Sequence, residues 1–323
     1  EEDEDITTVV DNPRVVEPFE LITDLYSPPG KNDIDPNLTM APFFFLSFGM
    51  MISDAGYGIV LMILSYLGLK KIRPEGQGKK LFELIFWGGL ATFIWGAIYG
   101  GWFGELIGLP ALWIRPLNDP ISILILSFVV GGIQIFAGLG LQAYKKIKND
   151  RVMAAVFDEG FWMIFLIGFV LFVFPRTAPY AHYVVIAGAV LLVLTQGRER
   201  KNPLAKVGAG LLSLYDVTTY LSDVLSYSRI MALGLATGVI ATVVNTMGDL
   251  IAVNIVGYIA MIVVMLVGHL FNIAVNSLGA YVHTSRLQYV EFFSKFYEGG
   301  GRSLDPLAIK TNYIKYKQGE EKI

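Results

Sequence analysis

The sequence predicts an all-α polytopic membrane protein of about eight helical segments. The first two form a short re-entrant hairpin, and the last two are very long and steeply tilted. Three observations predict this. Of 323 residues, 54% are apolar and only 16% charged, against about 45–50% and about 25% in a soluble domain. The apolar residues gather in blocks long enough to cross a bilayer, which takes roughly 20 residues as a helix. Clusters of Lys and Arg separate alternate blocks, the pattern of short loops that stay cytoplasmic.

Residues 1–40 are acidic and carry Pro13, Pro18, Pro28, Pro29 and Pro36. They read as a polar linker or surface segment. The chain opens on EEDEDITTVV, with neither Met nor a signal-peptide pattern, so an N-terminal cytoplasmic arm is expected ahead of it. Block 41–69 holds Gly49, Asp54, Gly56 and Gly58 near its middle. Each Gly costs a helix about 1 kcal/mol relative to Ala. A break there makes two short helices and returns the chain to the cytoplasmic side, which is tolerated where protein covers the break. A single span using its glycines for close packing is the alternative.

Blocks 81–105, 119–144 and 155–175, with 180–196, complete a peripheral membrane unit over 41–196. Three basic loops punctuate the chain: Lys70, Lys71, Arg73, Lys79 and Lys80; Lys145, Lys146, Lys148 and Arg151; Arg198, Arg200, Lys201 and Lys206. The intervening connections, around 107–118, 175–179 and 249, hold only Arg115 and Arg176 and are expected to face outward, leaving both chain ends cytoplasmic. Residues 197–298 form the second unit. Its blocks 207–247 and 251–293 would each reach roughly 60 Å as helices, twice the hydrocarbon thickness of about 30 Å. They must tilt, protrude or break. The mixed-charge stretch 299–323 reads as a solvated cytoplasmic tail.

Several function classes drop out. The net charge of −3 gives no footprint for nucleic acid, and the absence of Cys removes thiolate chemistry. Three histidines, His182, His269 and His283, do not make a metal cage. There is no Walker loop, GxSxG, HExxH or EF-hand pattern, so neither a metal nor a cofactor is expected. Any ATP coupling would come from a partner.

Charges within a span are costly and mark function. Arg229 lies mid-way along 207–247 and Arg286 in the inner half of 251–293. Arg keeps its proton in a protein, so each is a fixed positive charge. At about 100° per residue, Tyr215, Thr219, Ser222 and Ser226 fall within about 80° of Arg229 on its cytoplasmic side. Beyond Arg229 the face turns apolar, with only Thr237 polar. His269, Asn272, Asn276 and His283 fall within about 100° of Arg286, on its outer side. One polar stripe thus approaches from each membrane face, as in two offset half-channels separated by a positive barrier. Hydrogen-bonding glue between helices is the plainer reading. Gln288 and Glu291 extend the lining set past Arg286, and Glu291 has the option of pairing with a basic neighbour. Asp54, Glu105, Asp216 and Asp223 read as salt-bridge or interface groups. Trp95, Trp102, Trp113 and Trp162 read as packing or interface anchors.

At Phe48–Gly58, Gly101–Glu105, Leu225–Leu233 and Leu278–Phe292 the sequence resembles subunit a of V-type ATPases, called subunit I in the archaeal and bacterial enzymes, and its short outer loops resemble the prokaryotic branch. The resemblance starts at Val16 and runs on over essentially the rest of the chain. It implies a stator beside a rotating ring of c (K) subunits, with Arg229 and Arg286 at the two arginine positions of the ring-facing helices. Further implied partners are peripheral-stalk subunits, held through the N-terminal arm, a central-stalk cap subunit and membrane lipids. Two positions depart from eukaryotic members. Thr237 stands where they have His, and Asn276 where they have Glu, so the transported ion, H⁺ or Na⁺, stays open. A secondary transporter using the arginines for an anionic substrate and a membrane scaffold without a transport path are the competing readings.

Overall fold

A computed structural model describes residues 7–8, 12–30, 33–198 and 202–303. Its architecture is helical. The one strand pairing among the described residues is a two-residue parallel bridge between β1 (Thr7–Thr8) and β2 (Arg302–Ser303).

After the short α1 (Glu20–Tyr26), α2 (Asn37–Ile52) and α3 (Ala55–Lys71) occupy the first apolar block. The break falls at Ser53, whose φ of 47° is left-handed, and at Asp54, whose carboxylate caps α3 by accepting from the Tyr57 amide at 3.1 Å. Both helices lie on α4 (Gln77–Tyr99), in opposite directions. Along α2, Phe48 and Gly49 meet Gly88 and Ala91; along α3, Ala55, Gly58 and Gly68 meet Gly96, Gly89 with Phe93, and Phe82. The block is therefore re-entrant, as expected. Glycines make it possible: a Cβ at Gly58 or Gly96 would lie 2.4 or 2.0 Å from backbone of the facing helix, so only Gly permits this approach.

The chain continues through α5 (Pro120–Lys148), started by Pro120 and an Asp119 cap on the Ser122 amide. A turn, α6 (Val152–Ala154), and a π-helical stretch, Ala155–Gly160, lead into α7 (Phe161–Val173). Next come α8 (Ala178–Gln196), α9 (Pro203–Ser213), α10 (Val217–Ser226), α11 (Ser228–Ile251) and α12 (Ile255–Arg286). Six helices are long and apolar enough to cross a membrane, including one over Ala205–Ile251 of 47 residues and one over Ile255–Lys295 of 41. With the re-entrant pair they make the eight expected segments. Neither long helix is regular. The first passes through a 3₁₀ turn at Leu214–Asp216 and a junction at Tyr227, and the second widens into a π-helix at Leu287–Phe292.

The core joins the re-entrant pair to the two long helices and includes Phe44, Met51, Tyr57, Tyr227, Ile230, Phe292 and Phe293. A smaller cluster of Trp162, Phe165 and Leu192 packs α7 and α8 against Tyr220 and Val217. The polar-linker expectation for 1–40 fails over its second half. Phe19, Leu21, Ile22 and Met40 are buried in the main core, and Ile22 and Ser27 carbonyls accept from Tyr289 and Tyr297 at 2.8 and 2.7 Å. Lys145, expected in a basic loop, lies in the last turn of α5, buried between Asp33 and Glu298. Of the expected tail 299–323, residues 304–323 lie outside the described residues.

Candidate ion-path site

The two arginines occupy adjoining irregularities. Arg229 sits one residue past the Tyr227 junction, and its Nε donates to the Ser226 carbonyl at 2.9 Å. Its Nη2 makes an ion pair with Glu291, which the π-helix turns inward to 2% side-chain exposure. Arg229 itself keeps 21%, and its Nη1 is buried without a hydrogen-bond partner. Helical π-bulges gather at functional positions. This one has a visible effect: it turns Gln288 and Glu291 into the protein, while Arg286, the residue before it, stays exposed. Gln288 accepts from Gln134 of α5 at 2.6 Å.

The stripe on the Lys-rich side of Arg229 lies open. Tyr215, Thr219 and Ser222 are exposed, and the half-exposed Ser226 donates to the Ser222 carbonyl. Asp216 is exposed too, whereas Asp223 is buried in an ion pair with Lys295. Thr219 and Ser222 share the bare side of the long helices with Arg286.

The α12 stripe is different. His269, Asn272 and Asn276 are buried and closed into a chain of hydrogen bonds. Asn245 of α11 donates through Nδ2 to the Phe103 and Gly104 carbonyls at 2.8 and 3.1 Å, which fixes its Oδ1 as an acceptor. His269 Nε2 must then donate to that oxygen, at 2.9 Å, and its Nδ1 must accept from the Tyr57 hydroxyl at 2.7 Å. The Tyr57 oxygen accepts from Asn272 at 2.8 Å, and Asn272 accepts from Asn276. Buried Thr237 bonds the Met51 and Leu233 carbonyls. His283 is half-exposed, with Nδ1 buried and unpartnered.

Asp54 forms no salt bridge. Its Oδ1 accepts from the Tyr57 and Phe103 amides and its Oδ2 from Gly104 at 2.9 Å. That clasp holds a loop in which Phe103 and Glu105 take left-handed φ values of 50° and 76°, each a cost of about 1–3 kcal/mol. Glu105 pairs with Arg115 at 3.3 Å on the surface. Sequence reasoning missed Tyr57, Asn245 and Gln134 as members of these networks. Gln134 was findable as a lone amide inside an apolar block. The other two needed the fold.

Comparison with known proteins now places the chain. A family model described as the V-type ATPase 116kDa subunit family matches residues 217–309, the stretch that holds both arginines. The A-type ATP synthase subunit I of Methanocaldococcus jannaschii is 34% identical across 97% of this chain and 50% of its own length. That of Pyrococcus horikoshii is 32% identical over 96% and 48%, and the V-type ATP synthase subunit I of Borreliella burgdorferi is 28% identical over 82% and 47%. The chain belongs to this family. It is a multi-pass membrane protein, and it spans about half the length of the curated relatives it matches. Within the family match lie the exposed Arg286 and the Arg229–Glu291 pair, so the residues the sequence singled out and the matched region coincide.

Proposed function

We propose that the chain is the membrane stator of a rotary A/V-type ATPase and carries two offset half-channels for H⁺ or Na⁺ beside a rotating c/K ring. The observation that carries this is the placement of two permanent cations, Arg229 and Arg286, at local breaks in two very long adjoining helices. A ring carboxylate arriving with its ion meets the Arg229 guanidinium. An adjacent positive charge lowers a carboxyl pKa by about 1–3 units, so the ion is released. Glu291 holds the guanidinium in place and shares its charge. Tyr215, Thr219, Ser222 and Ser226 line the cytoplasmic half-path, and His269, Asn272, Asn276 and Thr237 flank the outer one. The arginines block a direct leak between the two. Stalk subunits, a central-stalk cap and lipids complete the assembly, in a bacterial or archaeal plasma membrane with both ends of this chain cytoplasmic.

The test is Arg229→Ala and, separately, Arg286→Ala in the assembled complex in vesicles. ATP-driven ion uptake is expected to fall at least tenfold with Arg229→Ala while the complex still assembles. Uptake at the wild-type rate would refute the proposal. Transport by this chain alone, without an ATPase, would instead favour a secondary transporter.

A further inference from the structure

Beside the closed His269 network lies open space. A cavity of about 40 Å³ sits at the end of the molecule away from the Lys-rich loops, lined by Ser53, Asp54, Tyr99, Leu117, Gly234 and Gly238 among others. A water needs about 10–15 Å³ measured this way, so the space holds a few. Tyr99 is 2% exposed, and its hydroxyl has no hydrogen-bond partner in the protein. An unmet buried hydroxyl costs about 1–3 kcal/mol, a cost that water in a polar cavity removes. Gly234 and Gly238 stand five and nine residues past Arg229 on α11, about 7.5 and 13.5 Å along its axis. Both present bare backbone to the cavity, and a Cβ at Gly238 would approach only the Leu117 side chain, at 3.8 Å. The exposed Glu105–Arg115 pair lies on the rim. The opening thus runs from a charged rim, past an unmet hydroxyl, along a glycine-walled strip of the helix that carries Arg229.

We propose that this cavity is the water-filled outer mouth of the ion path, opening between the break of the re-entrant pair and α11. The α12 stripe, whose polar groups are spent on one another, then serves as the wall behind it. This rests on the rotary reading above and assigns its outer opening to residues that reading does not use.

The chain has no native Cys, so single cysteines can be introduced without background. Gly238→Cys is prepared in the full complex in vesicles and treated with a positively charged, membrane-impermeant methanethiosulfonate from the outer face. Leu117→Cys is the second variant, for the case in which α11 does not accept the first. ATP-driven ion uptake is compared before and after reagent on the same preparation. Labelling is expected, with at least a tenfold loss of uptake that thiol reduction reverses. Failure of both cysteines to label, or labelling with uptake unchanged, would overturn the proposal. The two readings fail separately: uptake that survives Arg229→Ala sinks the rotary assignment, whereas uptake that needs Arg229 but ignores the label sinks only this mouth.

Discussion

At the scale of single residues, the decisive contact is Arg229 with Glu291, 62 positions apart and set in a nearly dry interior. Hydrogen bonds to charged groups contribute about 1.5–3 kcal/mol, and breaking one side of a buried pair strands the other charge. Glu291→Gln keeps the shape and a weaker acceptor but leaves Arg229 unneutralised. We expect a double-mutant cycle of Glu291→Gln with Arg229→Gln to show coupling of about 1.5–3 kcal/mol in the thermal unfolding of the purified complex. Strict additivity would mean that the two side chains do not share an ion pair. The sequence marked both residues as polar within a span. It could not pair them, because regular helix geometry sets Glu291 about 140° around α12 from Arg286, and the π-helix changes how that turn is presented.

At the scale of elements, Asp54 holds the re-entrant pair and the loop after α4 in one conformation. Its Oδ1 serves two amides and its Oδ2 a third. Asp54→Ala removes a helix cap and leaves two further donors unmet, a loss of at least about 3 kcal/mol. Asp54→Asn is expected to fall between the two. Its Oδ1 still accepts from Tyr57 and Phe103, while its amide group opposes the Gly104 N–H. Limited proteolysis at the loop over 100–108 in the intact complex reads this, with cleavage rates ordered Ala, then Asn, then wild type. Equal rates would show that the loop does not depend on Asp54. The break itself was legible from Gly49, Asp54, Gly56 and Gly58. That α4 lies against both halves was not, because the facing glycines at 88, 89 and 96 resemble any other glycines of an apolar span.

At the scale of the whole molecule, a polar clasp closes the Lys-rich end. Asp33 accepts from Lys145 at 2.7 Å and from the Gly299 and Gly30 amides, and Lys145 also reaches Glu298 at 2.9 Å. Burial alone would raise the Asp33 carboxyl, but the bond from Lys145, the two amides and the Lys145 charge outweigh it. They hold Asp33 below its ordinary value of 3.8. The folded pKa is thus depressed relative to the unfolded chain. The stabilisation is complete above that ordinary value and is lost as pH falls through the lower folded one. Hydrogen exchange over residues 297–303 is expected to stay slow down to about pH 4 and to accelerate below it. Asp33→Asn should be faster at neutral pH and lack this acid step. An unchanged profile in the variant would remove Asp33 from the clasp.

The sequence by itself determined the membrane class, the eight segments, the broken first block and the two intramembrane arginines. Each is written in local information: block length against bilayer thickness, glycine placement, and charge where charge is costly. Only the tertiary structure decided which polar groups meet. It joined Tyr57 to His269 across 212 positions and Gln134 to Gln288 across 154, buried the segment around Phe19 that composition made a linker, and left the space beside Gly238 open. Hydrogen-bond partners and cavities depend on how helices from distant blocks cross, and the apolar faces that set those crossings look alike along the chain.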